Sequence, residues 1–126
     1  ISACRGPTEV GVSTALRTRL TERFGLATPL LNAPMALVAG GALAAAVSDA
    51  GGLGLIGGGY AGTLGAEPVL EDEFARAGAA RVGIGFITWA LDRAPALLDR
   101  ALALGPACLF LSFGDPRPHA PRIHAA

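Results

Sequence analysis

The sequence of 126 residues contains no lysine, and its ten basic residues, all arginine, balance ten acidic residues. A formal net charge of zero lacks the basic excess that is typical of nucleic-acid-binding proteins. The two cysteines, Cys4 and Cys108, are too few for a disulfide scaffold and do not have the spacing of metal ligands. We therefore expect no nucleic-acid partner and no metal site, and we interpret Cys108, inside an apolar segment, as an inert buried thiol.

Long side chains are also scarce, because 26 alanines and 18 glycines dominate the composition. A hydrophobic fraction of 52% still excludes a disordered chain. Residues 24–48 carry no charge, and this uncharged run is long enough for a membrane span. However, Pro29, Pro34 and the pair Gly40–Gly41 interrupt this run, and we expect no membrane span. Residues 1–14 lack the basic and apolar regions of a signal peptide, so we expect a flexible arm on a cytoplasmic protein.

The hydrophobic pattern predicts an α/β fold in which strands and helices alternate. A lead-in helix is predicted at 14–24, strands at 29–35, 53–56, 81–86 and 107–113, and helices at 40–50, 67–77, 94–104 and 118–126. Such alternation implies a parallel sheet with right-handed crossovers. Four β/α units fit either a small open sheet or the N-terminal half of a TIM-type (β/α)₈ barrel, which needs about 250 residues. We favour the half-barrel, at 15–126, with the chain ending within its fourth α unit.

In both folds the ligand site forms at the loops that follow the strands. These loops, at 36–41, 57–66, 87–92 and 114–118, are rich in glycine and poor in ionisable groups. They favour binding of a cofactor by the backbone. By position, Trp89 and Ser112 are candidates for a substrate pocket.

A glycine motif, GGGYAG at 57–62, follows an apolar strand and matches the G-x-G-x-x-G pattern of dinucleotide-binding turns. A Rossmann-type domain is therefore one alternative. It is the lesser one, because Gly65 and Pro68 follow before any helix can begin and the next predicted strand ends without an acidic residue. A flexible loop without a ligand is a further interpretation.

Four segments together resemble the nitronate monooxygenase (2-nitropropane dioxygenase) family. They are NAPM at 32–35, AVSDAGGLGLIGGGY at 46–60, GIGFITW at 83–89 and LSFGDP at 111–116. The resemblance extends over about 16–126. It implies a (β/α)₈ barrel that binds FMN and oxidises alkyl nitronates with O₂. The cofactor-binding residues that it implies are Asn32, Ala33, Pro34, Met35, Gly85 and Phe86.

The sequence departs from this family in two places. Many members have an asparagine that contacts FMN at the end of the third strand, where this chain has Gly85. The catalytic histidine and the phosphate-binding glycines belong to the second half of the family's barrel. We therefore expect no catalytic residue in this chain and no activity of the chain alone. His119 and His124 are expected to be surface residues, and the acidic run 71–73 is expected to be a solvated helix face.

The alternative to an enzyme is a catalytically silent half-barrel or an association module. A half-barrel exposes two sheet edges and part of its apolar interior. This arrangement predicts self-association through the exposed edges.

Overall fold

A computed structural model describes residues 16–60 and 69–126. Within these residues the chain forms six helices and three strands, and at least one helix lies between successive strands. They are α1 (Arg19–Phe24), α2 (Gly41–Asp49), β1 (Gly54–Gly57), α3 (Leu70–Arg76), β2 (Val82–Ile87), α4 (Thr88–Arg93), α5 (Pro95–Ala103), β3 (Leu109–Ser112) and α6 (Ala120–Ala125).

The three strands form a parallel sheet in the order β1-β2-β3. Ile56, Ile84 and Leu109 are aligned across it and contribute to the core, which is filled by residues of the helices on the same face. On the other face β2 presents Gly83 and Gly85, since successive residues of a strand alternate between faces. The predicted α/β class with a parallel sheet is confirmed, and the sheet is consistent with part of a barrel.

The strand predicted at 29–35 is not formed, which corrects the expected count of four strands to three in the described residues. Only Leu31 makes a bridge, a parallel one to Leu53. Pro29 and Pro34 have no N–H to donate to a ladder. Between them, the Asn32 side chain replaces backbone pairing: its Nδ2 donates to the Leu55 carbonyl at 2.8 Å, and its Oδ1 accepts from the Leu55 N–H at 2.7 Å.

The core lies between the sheet and the helices. Ile56, Ile84, Leu91 and Leu98 are almost fully buried there, and each buried side chain of this size contributes about 1.5–3 kcal/mol. Helix α2 approaches β1 so closely that a Cβ on Gly54 would lie 1.8 Å from the Ala44 carbonyl oxygen. The alanine-rich composition of α2 and the glycine in β1 permit this contact.

Other elements lie close to their predicted bounds, with two differences. Helix α4 occupies part of the predicted loop 87–92. Helix α1 begins five residues after the predicted start, because the Thr18 hydroxyl accepts from the Thr21 N–H and caps the helix there. The predicted arm 1–14, the loop residues 61–66 and the predicted helix start at 67–68 lie outside the described residues. In the described part of the chain, no helix has the length and hydrophobicity that a bilayer crossing requires.

Two polar residues expected at the surface are buried. Glu73, in the acidic run, is 8% exposed because its carboxylate caps α2, and His119 is 9% exposed. The His119 Nε2 lies 2.9 Å from Asp92 Oδ1, so this pair connects the start of α6 to α4. His124 is exposed, as predicted.

Candidate functional site

A cavity of about 380 Å³ opens at the carboxyl ends of the strands, within the size range of small-molecule sites. The segment before α2, the end of β1, the end of β2 and the end of β3 all contribute to it. It is lined by Ala33, Pro34, Met35, Ala36, Gly59, Tyr60, Gly85, Phe86, Ile87, Phe110, Ser112 and Phe113. The lining is mostly apolar and includes no charged side chain among the described residues.

The structure brings most of the predicted site residues together in this lining. Ala33, Pro34, Met35, Gly85, Phe86 and Ser112 all contribute to it. Asn32 and Trp89 do not. The Asn32 amide is bonded to the Leu55 backbone, so it holds residues 33–35 beside β1.

Pro34 and Gly85 are in close contact at the floor of the cavity. A Cβ on Gly85 would lie 2.2 Å from Pro34 Cγ and 2.3 Å from Pro34 Cβ. The proline ring therefore occupies the space that any side chain at position 85 would need. In this arrangement the asparagine that the resemblance implied at position 85 would not fit beside Pro34.

Phe86 contributes to the cavity and to the core, with its ring packed over Gly58. A Cβ on Gly58 would lie 2.1 Å from the ring. The Gly58 N–H donates to the Gly85 carbonyl at 2.8 Å, which extends the pairing of β1 and β2 by one residue. Gly57 and Gly58 of the glycine motif thus permit close packing at the end of the strands.

The end of β3 is held by a buried hydroxyl. Thr88 is fully buried, and its Oγ1 donates to the Ser112 carbonyl at 2.9 Å. The Ser112 Oγ in turn donates to the Phe86 carbonyl at 3.4 Å. Directly after these bonded residues the chain turns at Phe113, where φ is +56°.

Trp89 lies beside the cavity in a small aromatic group. Its ring centroid is 6.5 Å from that of Tyr60, which lines the cavity, and the two planes are inclined by 41°. The Arg93 guanidinium lies over Trp89 at 4.9 Å from the ring centroid, within the range of a cation–π contact. Trp89 thus lies next to a residue of the lining without being part of the lining itself.

Among the described residues, the cavity lining contains no carboxylate, imidazole or guanidinium group. Cys108 is half-buried, and burial raises the pKa of its thiol, which keeps it protonated and a poor nucleophile. Tyr60 is the one ionisable side chain of the described lining. The arrangement can hold an apolar ring against side chains such as Met35, Ile87 and Phe110.

The sequence interpretation missed several lining residues, chiefly Phe110, Phe113 and Ile87. Strand periodicity identifies Phe110, because residues two apart share a face and Ser112 was already a candidate. On β2, the same rule identifies Ile87, because it lies two residues after Gly85, which was already a candidate. Phe113 could be identified as a lining residue only from its positive φ, and the residue type does not predict that angle.

Comparison with known families decides the affiliation of this chain. The family model of nitronate monooxygenase matches residues 17–83, just over half of the sequence. The chain belongs to the nitronate monooxygenase family. No curated protein matched the sequence in a direct search.

The nitronate monooxygenase match includes Pro34 and Met35 of the cavity and ends inside β2. Membership suggests an oxidoreductase resembling nitronate monooxygenase. Gly85, Ser112 and Phe113 lie beyond the matched residues, so their assignment to the site depends on the geometry of the cavity.

Proposed function

We propose that this chain forms one side of the flavin site of an FMN-dependent oxidoreductase that oxidises alkyl nitronates with O₂. The observation that carries the proposal is the apolar cavity formed by Pro34, Met35 and the ends of β1–β3, in a chain of the nitronate monooxygenase family. When bound, FMN accepts electrons from the nitronate and passes them to O₂.

The chemistry of the lining fits the isoalloxazine ring of FMN. Met35 supplies a polarizable side chain, and Ile87 and Phe110 supply apolar surface. The described lining has no charged side chain for a phosphate, so we assign it the ring and not the phosphate.

The same lining favours a substrate that needs no proton removed. Among the described residues, the cavity has no carboxylate, imidazole or lysine that could act as a general base at neutral pH. A nitronate is already the deprotonated form of a nitroalkane. We therefore propose that the described side of the site accepts nitronates and takes no part in ionising neutral nitroalkanes.

The test is whether the purified protein retains flavin absorbance and releases nitrite from ethylnitronate while consuming O₂. We expect flavin and turnover in a protein that contains all parts of the site, and neither in the 126-residue chain by itself. Turnover by this chain alone would contradict the view that its catalytic residues are elsewhere. Absence of flavin from every form would reject the cofactor.

A second candidate function, self-association, is supported by β3. In the described residues β3 is an edge strand, its four residues carry no charge, and Phe110 on it is 45% exposed. Uncharged edges of this kind can pair with another chain. Sedimentation should detect dimers or larger species that Phe110→Lys, at the exposed residue of the edge, converts to monomer. A monomeric wild-type chain would reject this function.

A further inference from the structure

Two residues other than glycine have a positive φ in the described part of the chain, Leu37 at +69° and Phe113 at +56°. This region of conformational space is unfavourable for bulky side chains. Both side chains are also exposed, Leu37 at 58% and Phe113 at 80%. Burial of these side chains therefore does not offset the energetic cost of their backbone conformation.

The conformation of Phe113 is imposed by its neighbours. The buried Thr88 hydroxyl holds the Ser112 carbonyl, as described above. After Phe113, Gly114 lies so near Thr88 that a Cβ there would be 2.7 Å from Thr88 Cβ. The chain is thus fixed on both sides of Phe113, and the residue is held in the unfavourable conformation.

The two residues with a positive φ differ in whether their side chains line the cavity. Phe113 lines the cavity together with Met35 and Phe110, whereas Leu37 is not part of the lining. Strain that is retained beside a ligand cavity is more often associated with function than with folding. We propose that Phe113 is a specificity-determining residue whose ring contacts the apolar chain of the nitronate substrate.

This inference rests on the proposed function for the identity of the ligand. The exposed ring of Phe113 predicts which nitronates are preferred, because it adds apolar surface to a cavity whose described lining has no charged side chain. Each methylene that moves from water to such a surface improves binding. Hexylnitronate should therefore bind at least tenfold more tightly than ethylnitronate.

The experiment compares Phe113→Gly with the matched control Leu37→Gly. Both substitutions relieve a positive φ at an exposed apolar residue, but only the first removes a ring from the cavity. A third variant, Phe113→Leu, keeps apolar bulk at the site. The probes are ethylnitronate and hexylnitronate in anaerobic solution. Binding is followed by the fluorescence of Trp89, the single tryptophan, which lies 6.5 Å from the cavity residue Tyr60 between ring centroids.

We expect the preference for hexylnitronate to fall below threefold in Phe113→Gly and to remain at least tenfold in Leu37→Gly. Phe113→Leu should retain an intermediate preference. Both glycine variants should melt at or above the wild-type temperature, because each relieves strain. An unchanged preference in Phe113→Gly, or equal binding of the two probes by the wild type, would overturn the inference.

Flavin absorbance and nitrite release are recorded on the same samples. If the wild type prefers hexylnitronate through Phe113 but holds no flavin and releases no nitrite, the proposed function fails and the assignment of Phe113 stands. If turnover is present but the preference is independent of Phe113, only the inference fails.

Discussion

The carboxylate of Glu73, on α3, accepts a hydrogen bond from the Gly41 N–H at the first residue of α2, at 2.8 Å. Gly40, the residue before α2, has no side chain to cap the helix. Glu73 therefore supplies the cap from a different helix, and its negative charge lies at the positive end of the α2 dipole. Its other oxygen is paired with Arg76.

Replacing Glu73 by alanine should destabilise the chain by about 2 kcal/mol, because a buried N–H loses a charged acceptor. Glu73→Gln should cost less, since an amide oxygen can still accept the bond. Denaturant unfolding followed by circular dichroism measures both. The control is Asp72→Asn, on the exposed side of the same helix, for which we expect a change within about 0.5 kcal/mol. Equal effects at positions 72 and 73 would contradict the capping role.

Asn32 should be as important to stability as a core residue. Asn32→Ala leaves the Leu55 N–H and carbonyl without their side-chain partners at a residue that is 1% exposed. The expected cost is about 1–3 kcal/mol. Thermal unfolding should show it, with the exposed Asp49→Asn as a control that leaves the melting temperature nearly unchanged. A neutral Asn32→Ala variant would mean that the amide does not hold this segment to β1.

Gly85 and Pro34 should show a strong double-mutant effect. Gly85→Ala places a Cβ 2.2 Å from Pro34 Cγ, so the proline must move. We expect a loss of about 1–3 kcal/mol. Pro34→Gly removes both the Cγ and the Cβ that a side chain at position 85 would meet, and the double variant should be more stable than the sum of the two single changes by at least about 0.5 kcal/mol. Simple additivity in urea unfolding would show that the two residues do not compete for this space.

The ion pair between α3 and α5 should contribute to stability only above acidic pH. Arg100 Nε donates to Glu71 Oε1 at 2.7 Å, and this bonding lowers the pKa of Glu71 from 4.5 to about 2. A carboxyl with a lowered folded-state pKa stabilises the fold above its unfolded pKa, and the contribution is lost as the pH falls towards 2. Both side chains are exposed, so the effect should be small and salt-sensitive.

Glu71→Gln should therefore lose less stability than the wild type between pH 4.5 and 2. Melting temperatures at matched ionic strength across this range measure the difference. Asp72→Asn, for which the structure shows no ion pair in the described residues, should follow the wild-type curve. Parallel curves for wild type and Glu71→Gln would show that this ion pair does not contribute to the pH dependence of stability.

The sequence predicted the buried strands well, because strands covered on both faces are short continuous apolar runs bounded by glycine. The strand expected at 81–86 is found at Val82–Ile87. The prediction failed at 29–35, where the apolar composition was right but pairing depends on N–H groups that two prolines lack. It also failed at α4, where Ile87, Thr88 and Trp89 are residues that favour strands and no side chain caps the helix.

The site was predictable to the extent that it follows from topology. Parallel strands place their carboxyl ends at one edge, so Pro34, Gly85 and Ser112 could be grouped from the sequence alone. The contributions of Glu73 and His119 could not be predicted from the sequence, because each depends on a partner on another helix. These partners are Gly41 and Asp92, respectively. Phe113 depends on a backbone angle that its neighbours impose.

The absence of a side chain at Gly83, in β2, brings together residues of β1 and of the segment before β3, which do not pair with each other. A Cβ on Gly83 would lie 2.7 Å from both Leu55 Cδ2, on β1, and Cys108 Sγ, which precedes β3. Leu55 and Cys108 thus border the same gap across an intervening strand. During evolution, enlargement at one of these positions should be accompanied by reduction at the other, and Gly83 should stay unchanged while both vary.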